Sequence, residues 1–522
     1  MNIATLLQQQ ATLRPQAPAL IDSWGKFDRL ITFAELELAV GQAATLLRRS
    51  GLQAGDRVLV FHPMAAELYI ILGAAFRLGL VAMFLDPGAG RSHLDRSCVQ
   101  CPPQALIATS KAYALLGRIS ALRRIPLKFA IGLPLPGTLH WQQLHSLSPE
   151  PTIAACPDTA PALLTFTSGS TGMPKAALRT HGFLLAQYRV LLESLRLTPD
   201  TTELTTLPIF VLANLAVGAT TLIPRGNLRA PGTIAPAPVL KQIQTYSPDR
   251  ILASPAFLER LVNYARRHQM ALSSVRHILS GGAPILPRLL QQLPQFAPQA
   301  EITILYGSTE AEPIAQIRLA QMQAIDLEAM QSGKGLLVGV PIPAIQLRIV
   351  PPDRAIFTAT PDQFAAICLP KGAVGEIVVS GDHVLSSYWQ GQGDRDTKFR
   401  VGEAIWHRTG DAGYVDSADR LWLLGRCEAC IHDGNGDLYP FQIEGWLQRY
   451  PEICRSAVIF HQGQRVLLIE PCRSAPPLDL EAIKKSLEWA SLGSVRVCAK
   501  LPVDRRHNGK IVYSELLKLL RN

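Results

Sequence analysis

The sequence predicts an α/β protein, in which a large N-terminal domain of parallel or mixed sheets covered by helices precedes a small α+β domain. Up to about residue 370, apolar runs of strand length alternate with helical patterns. Such alternation is typical of parallel sheets covered on both faces. Beyond that point, GAVGEIVVSG and DRLWLLGR are separated by turn residues, which indicates a small antiparallel part.

The individual elements follow in chain order. ITFAELELAVGQAATLLRRSGL predicts a helix that begins after Thr32 as N-cap, with Glu35 three residues later, and ends at Gly51. GDRVLVFHP predicts a buried strand. The run YIILGAAFRLGLVAMFLD is too short and, with Arg77, too charged to span a bilayer, so it predicts a buried helix leading into a strand. Further strands are predicted at PALLTF, TTELTTLP, ATTLIP, RILAS, VRHILSGGA and EITILYGS.

A domain boundary is predicted at the polar, glycine-rich stretch GRCEACIHDGNGD. We expect one domain over residues 1–426 and a second over 427–522. The second domain contains the strand patterns SAVIF and RVLLIEP and the helical patterns EGWLQRY and LEAIKKSLEWA. Its length of about 95 residues suits a small independent unit.

Composition excludes several classes of protein. The formal net charge of +10 comes from scattered arginines, and no basic run is interleaved with aromatics, so no nucleic acid partner is predicted. The N-terminus lacks the pattern of a signal peptide, no transmembrane segment is predicted, and a cytoplasmic location is expected. Nine cysteines in 522 residues indicate a reducing compartment, and the two CxxC pairs are interpreted as ordinary thiols.

Residues 165–175 read TFTSGSTGMPK, a stretch rich in hydroxyl groups and glycine that has little apolar surface to bury. We expect a loop here. Backbone N–H groups freed by glycine, together with Ser and Thr hydroxyls and a lysine, can form a nest for phosphate oxygens. The order of residues differs from that of the common P-loop.

This loop resembles the phosphate loop of the adenylate-forming superfamily, which includes acyl-CoA synthetases, peptide-synthetase adenylation domains and luciferases. Four further segments resemble motifs of that family in the same order: SGGAP (280–284), YGSTE (306–310), RTGDAGY (408–414) with GR (425–426), and RRHNGKI (505–511). The resemblance covers nearly the whole chain and implies an ATP-dependent enzyme that activates a carboxylic acid as its adenylate.

The resemblance also implies site residues. The phosphate-binding residues would be Thr167, Ser168, Gly169, Ser170, Thr171, Gly172 and Lys175, and those near adenine Gly281, Gly282, Ala283, Pro284, Tyr306, Gly307 and Ser308. Thr309 would meet the α-phosphate, Glu310 would bind Mg²⁺, and Asp411 and Arg426 would contact the ribose. Lys510 would be the catalytic lysine of the C-terminal domain, and Glu428 the hinge about which that domain rotates.

The chemistry of these residues agrees with the implied roles. Glu310 is a hard oxygen donor suited to Mg²⁺. Asp411 can accept hydrogen bonds from both ribose hydroxyls. Lys510 can stabilise charge that develops between a carboxylate and the α-phosphate. Each residue alone has a structural alternative, as a helix cap or a solvated turn residue.

Two departures from the family pattern bear on which carboxylic acid is bound and on the reaction that follows adenylation. Val211 stands where adenylation domains carry an aspartate for an amino group, and where many acyl-CoA synthetases carry an aromatic gate for the thiol. Phe210 and Val211 are therefore predicted to contact an apolar acyl chain. Asn435 stands where acyl-CoA synthetases usually have a glycine.

These departures resemble the β-lactone synthetases of long-chain olefin biosynthesis. In that branch a 2-alkyl-3-hydroxy fatty acid is adenylated and its own hydroxyl expels AMP, with no CoA. A fatty acyl-CoA ligase or acyl-carrier-protein ligase is the alternative, so CoA stays open as a co-substrate. A descendant that only binds nucleotide is a further alternative. The expected cofactors are ATP and Mg²⁺, and the expected partners are the enzymes of a lipid condensation pathway that supply the hydroxy acid.

Overall fold

A computed structural model describes the whole chain except residues 26, 117–118, 169–173, 353–357, 473–474, 505–508 and 521–522. Two large sheets form the body of the molecule, and two smaller ones belong to its last hundred residues. The predicted fold class is confirmed, because the large part combines mostly parallel strands with helices and the C-terminal part is smaller.

The first sheet has seven strands, of which all neighbours run parallel except the last pair. In spatial order they are Leu139–His140, Leu127–Ile131, Ala105–Thr109, Arg57–Phe61, Val81–Phe84, Pro161–Ser168 and Pro174–Thr180.

The second sheet has a parallel half and an antiparallel half. The parallel half contains Pro18–Trp24, Thr220–Leu222, Thr202–Thr205, Arg250–Ala253, His277–Ser280 and Glu301–Ser308, with Phe27–Thr32 antiparallel at its edge. The antiparallel half continues through Ala311–Arg318, Leu336–Pro341, Leu421–Arg426, Ala404–Val415, Gly375–Ser380 and Gln346–Val350, with Lys398–Val401 and Thr358–Ala359 attached.

Fourteen α-helices cover these sheets in the described part of residues 1–426: Ala4–Leu13, Phe33–Arg49, Ala66–Arg77, Arg91–Gln100, Ser110–Leu116, Ser120–Arg123, His181–Leu195, Pro208–Val217, Pro236–Tyr246, Pro255–Arg267, Pro287–Phe296, Ala324–Gln331, Pro361–Ile367 and Asp394–Thr397. None of the described helices combines the length and apolar composition that a bilayer crossing requires.

The first long helix shows why local sequence predicted these elements well. Phe33–Arg49 begins after Thr32, whose side chain accepts from the Glu35 N–H, while the Glu35 carboxylate accepts from the Thr32 N–H at 2.8 Å. The charge in the following apolar run is also explained. Arg77 is buried, and its guanidinium donates to Glu37 Oε1 at 2.6 Å.

The C-terminal part consists of a hairpin, a three-stranded sheet and short helices. The hairpin strands are Ile431–Asp433 and Gly436–Leu438, and the sheet strands are Ile453–His461, Gln464–Pro471 and Leu492–Val497. Its α-helices are Pro440–Trp446, Leu480–Ser486 and Tyr513–Leu519. This part has its own apolar clusters, as an independent folding unit requires.

The prediction of a loop over 165–175 is partly wrong. Residues up to Ser168 lie on one strand and those from Pro174 onward on the next, and the two strands pair antiparallel with Thr167 opposite Lys175. Backbone pairing with a neighbouring strand outweighs the weak strand propensity of this polar segment. The centre of the predicted loop, including Gly169, Ser170, Thr171 and Gly172, lies outside the described residues.

Candidate active site

Tyr306, Asp411 and Arg426 meet where two halves of the second sheet adjoin. Asp411 and Arg426 are cross-strand partners, so the ladder places their side chains together. The Tyr306 hydroxyl donates to Asp411 Oδ2 at 2.8 Å, and Arg426 Nε lies 3.3 Å from Asp411 Oδ1. The Asp411 carboxylate raises the pKa of Arg426, while burial, reinforced by Asp411, raises the pKa of Tyr306. Three residues predicted separately thus form one charged cluster.

Glu310 lies in a second, more deeply buried cluster. Its Oε1 accepts from the Tyr388 hydroxyl at 2.8 Å. Burial alone would raise the pKa of the carboxyl, but the hydrogen bond from the Tyr388 hydroxyl and the positive charge of Lys398 oppose burial, and that pKa lies below its ordinary value. Glu310 is therefore ionised near neutral pH, and its hard carboxylate fits a divalent cation of the Mg²⁺ type.

Two basic side chains of this cluster were not predicted from the sequence. The Lys398 ammonium lies 5.5 Å from the centre of the Tyr388 ring, and burial lowers the pKa of Lys398 to about 8. His407 is fully buried, and burial followed by the charge of Lys398 lowers the pKa of its ring to about 3. The ring is thus neutral, and Lys398 supplies the positive charge beside Glu310.

The glycines of the SGGAP and YGSTE segments permit close backbone approach. A Cβ at Gly281 would lie 2.9 Å from the Leu305 carbonyl oxygen, and one at Gly307 would lie 3.0 Å from the Ala311 carbonyl oxygen. Gly282 has φ +80°, a conformation that other residues rarely adopt. Ala283 and Pro284, which follow these glycines, are half-buried.

Backbone contacts hold the residues between Tyr306 and Glu310. Ser308 Oγ accepts from the Glu310 N–H at 3.2 Å, and the Thr309 carbonyl accepts from Arg179 at 2.8 Å. Arg179 lies on the strand that follows the phosphate-loop segment. Strand Pro174–Thr180 and the YGSTE segment are thereby held side by side.

Lys510 lies beside these clusters although it is distant from them in sequence. Its backbone is held by Asp504, whose N–H donates to the Lys510 carbonyl at 2.8 Å and whose Oδ1 accepts from the Lys510 N–H at 2.8 Å. Burial, followed by the charge of Arg426, lowers the pKa of Lys510, while Asp411, Asp504 and Glu310 oppose that shift. Lys510 of the C-terminal part therefore lies within reach of the charges of Asp411, Glu310 and Arg426 of the large part.

The remaining predicted residues lie at the rim or outside the described set. Lys175 Nζ is 4.0 Å from Asp396 Oδ2. Thr167 and Ser168 are described only in their backbone. Glu428 is exposed on the turn Cys427–Ala429, directly after the last strand of the large sheet.

Phe210 and Val211 lie on helix Pro208–Val217 with exposures of 2% and 0%. Neither borders the apolar cavity of about 60 Å³ that lies against this helix. Their neighbours Ile209, Leu212, Ala213, Leu215 and Ala216 line it instead. This cavity was not foreseen, because its other walls come from helices that are distant in sequence.

Hydrogen bonds hold residues 442–453 of the C-terminal part against the large part of the chain. The Arg288 guanidinium donates to three backbone carbonyls of the C-terminal part: those of Gln448 at 3.0 Å, Tyr450 at 2.6 Å and Ile453 at 3.0 Å. In the opposite direction, the Arg449 guanidinium donates to the Gln331 carbonyl at 2.6 Å, and the Gln442 amide donates to the Gly333 carbonyl at 3.0 Å. No sequence motif identified these contact residues.

The profile of a family described as AMP-binding enzyme matches residues 7–389. The chain is 29% identical to the olefin beta-lactone synthetase of Xanthomonas campestris pv. campestris, over 98% of this chain and 96% of that protein. It is 28% identical to the indoleacetate–CoA ligase of Aromatoleum aromaticum, over 89% of this chain and 86% of that protein.

Among solved structures, the anthranilate CoA ligase AuaEII in complex with anthranoyl-AMP matches with a TM-score of 0.83. The match covers 100% of this chain and 97% of that one at 19% identity. At this identity the likeness concerns the fold alone.

Proposed function

The chain belongs to the family of AMP-binding enzymes, and from this premise we propose that it activates a long-chain carboxylic acid as an acyl-adenylate and closes it to a β-lactone. Family membership confirms the predicted resemblance and makes the protein an adenylate-forming ligase that uses ATP. In the first half-reaction, R–COO⁻ and ATP give R–CO–AMP and pyrophosphate. The observation that carries this proposal is the convergence of Lys510, Asp411, Arg426 and Glu310 from distant parts of the chain.

In the proposed nucleotide site, Tyr306 packs on adenine, and Asp411, oriented by its hydrogen bond from Tyr306, accepts from the ribose hydroxyls. Gly281–Pro284, Gly307 and Ser308 border the adenine. The hydroxyls of 167–171, the loop glycines and Lys175 would bind the phosphates, and Thr309 would meet the α-phosphate, as the family resemblance implies. Glu310 would hold a Mg²⁺ ion, which would neutralise negative charge on the phosphates.

Lys510 carries the chemistry of the first step. Its ammonium can bridge the attacking carboxylate and an α-phosphate oxygen, where it offsets the negative charge that both groups bring. Burial lowers the pKa of Lys510 and so opposes that charge in the free enzyme. The two bound anions offset this cost, and the ammonium can then stabilise the negative charge that develops as the carboxylate attacks the α-phosphate.

In the proposed second step the substrate's own 3-hydroxyl attacks the activated carbonyl. A bond forms between O3 and C1, the bond between C1 and the phosphate oxygen breaks, and AMP departs while the hydroxyl proton passes to phosphate or water. A tethered nucleophile reacts with a high effective molarity and needs no second binding site. Support for a 2-alkyl-3-hydroxy fatty acid comes from the similarity to an olefin beta-lactone synthetase over 98% of the chain.

A fatty acyl-CoA ligase, or an acyl-carrier-protein ligase, is the second candidate. The 28% identity to a CoA ligase favours it. Val211 and Asn435 disfavour it, because the first replaces an aromatic gate and the second replaces a glycine that lets pantetheine approach.

We also propose the division into domains 1–426 and 427–522, with rotation about Glu428. The separate apolar clusters of the C-terminal part and the exposed turn Cys427–Ala429 support this division. If the lactone pathway holds, a condensing enzyme and a reductase would supply the hydroxy acid.

The deciding experiment measures AMP release from purified protein with ATP, Mg²⁺ and a 2-alkyl-3-hydroxy fatty acid, with and without CoA, and identifies products by mass. AMP with a product one water lighter than the acid, formed without CoA, supports β-lactone formation. A CoA thioester formed only with CoA, especially from simple fatty acids, supports the ligase. Lys510→Ala is the control and should abolish AMP release in either case.

A further inference from the structure

The apolar cavity beside helix Pro208–Val217 contains an unusual polar group. Helices Ala4–Leu13, Ala66–Arg77 and His181–Leu195 supply its other walls, and almost all its lining side chains are aliphatic or aromatic. The exceptions are the hydroxyls of Tyr69 and Tyr188 and the amide of Gln187.

The two hydroxyls are already paired. Tyr69 donates to the Pro208 carbonyl at 3.3 Å, and Tyr188 donates to the Ala216 carbonyl at 3.5 Å. Both bonds fasten tyrosines to the helix that forms the cavity wall. Neither hydroxyl therefore needs a ligand.

Gln187 is only half paired. Its Nε2 donates to the Glu312 carbonyl at 3.4 Å, whereas its Oε1 has no hydrogen-bond partner among the described residues. The orientation of the amide is fixed, because a carbonyl can only accept and must face the nitrogen. With 1% exposure, the side chain is screened from water, and a buried amide oxygen without a donor costs free energy.

Gln187 lies between the cavity and the candidate active site. Its partner Glu312 follows Glu310 by two residues on strand Ala311–Arg318. At the start of the same region, Arg179 holds the Thr309 carbonyl at 2.8 Å. A substrate whose carboxylate lies at Thr309 and whose chain enters the cavity would thus pass this amide close to its reacting end.

We propose that the Gln187 amide oxygen accepts a hydrogen bond from a hydroxyl carried on the substrate's alkyl chain close to its carboxylate. The cavity then selects an apolar acid with one chain hydroxyl over the plain alkyl acid. This inference rests on the proposed function and assigns the 3-hydroxyl its partner. An amide cannot take the hydroxyl proton, so Gln187 orients the hydroxyl oxygen and selects the substrate without acting as a base.

The test compares two acids, a 2-alkyl-3-hydroxy fatty acid and the same acid without the hydroxyl. Pyrophosphate release gives kcat/KM for each. The wild type should prefer the hydroxylated acid by about 10- to 100-fold, since a site built to bond a hydroxyl leaves its own polar group unpaired with the analogue. In Gln187→Met, which has similar length and no amide, the preference should fall to within about threefold of unity.

The outcome that counts is the ratio of the two kcat/KM values, because a merely structural defect would lower both together. Gln10→Met is the matched control: Gln10 also donates to a backbone carbonyl, that of Ala216 at 3.1 Å, but does not line the cavity. Its ratio should equal that of the wild type. An unchanged ratio in Gln187→Met would overturn the inference.

A measurement without a variant covers the case in which Gln187→Met does not fold. Equal binding of both acids to the wild type, followed calorimetrically without ATP, would also overturn the inference. Failure of the proposed function looks different, because the wild type would then form no lactone from the hydroxylated acid. Lactone formation with equal preference for both acids would refute the role of Gln187 alone.

Discussion

Replacing Arg288 by alanine should weaken the docking that brings Lys510 into the active site. One guanidinium donates to three carbonyls of the C-terminal part, those of Gln448, Tyr450 and Ile453. A hydrogen bond to a charged group contributes about 1.5–3 kcal/mol when buried, and the half-buried position of Arg288 reduces this to about 1 kcal/mol each. The sum of about 3 kcal/mol corresponds to a roughly 100-fold weaker docking equilibrium.

The assay is single-turnover pyrophosphate release at saturating ATP and acid. Because only the docked arrangement presents Lys510 to the carboxylate, we expect the adenylation rate of Arg288→Ala to fall about 10- to 100-fold. The affinity for ATP should change little, since Arg288 lies outside the Tyr306–Asp411–Arg426 cluster. Hydrogen exchange across residues 448–453 should accelerate in the same variant.

Arg260→Ala serves as the matched control. Arg260 also donates to a backbone carbonyl, that of Ile234 at 3.1 Å, but both residues belong to the large part of the chain. Its adenylation rate should stay near that of the wild type. An Arg288→Ala rate within twofold of the wild type, with unaltered exchange at 448–453, would refute the docking role of Arg288.

Three further variants test other parts of the structure. Glu444 accepts a hydrogen bond from the Tyr513 hydroxyl at 3.0 Å, and burial raises its pKa from 4.5 to about 8. Between these pH values the folded protein holds a proton that the unfolded protein has lost, so the stability of the wild type falls as pH rises. At pH 8, Glu444→Gln should therefore have a free energy of unfolding up to about 5 kcal/mol higher than that of the wild type, and a higher melting temperature. At pH 4.5 the two proteins should differ little. Equal gains in stability at both pH values would contradict the raised pKa. Tyr306→Phe removes the 2.8 Å bond to Asp411 and should raise KM for ATP about tenfold with a smaller change in kcat, and an unchanged KM would exclude the ribose–adenine site. Glu428→Pro should stiffen the proposed hinge and leave the rate of lactone formation within about twofold of that of the wild type, because a tethered hydroxyl needs no domain rotation. Loss of lactone formation with retained pyrophosphate release would show that rotation is required.

Elements governed by local sequence were predicted well. Helix Phe33–Arg49 carries its start signal within three residues, so Thr32 and Glu35 identified it without tertiary information. The same holds for the apolar run around Arg77, although its partner Glu37 was not foreseen. Local signals suffice where capping and apolar periodicity agree with the fold.

Parts of the site that depend on distant contacts could not be predicted. Tyr388 reaches Glu310 across 78 positions of sequence, and Gln187 reaches Glu312 across 125. Neither residue lies in a motif, and its function depends on which strand the folded chain places opposite it. The prediction of a loop over 165–175 was partly wrong for the same reason. The ends of this segment form strands by pairing with each other, with Thr167 opposite Lys175, and the polar sequence alone does not indicate that pairing.

Buried charges of both signs surround the proposed reaction centre. Arg426 and Lys510 lie with Asp411, and Lys398 lies with Glu310. Burial lowers the pKa values of Lys398 and Lys510, so their positive charges are held at a cost in the free enzyme. ATP and a carboxylate bring negative charge to these lysines, so binding stabilises charged groups that burial destabilises. Gln187 lines the apolar cavity and also contacts the Glu312 carbonyl, two residues after Glu310, so an apolar environment and a charged one lie close together in the fold. This arrangement favours an acid whose charged end and alkyl chain are held in different environments.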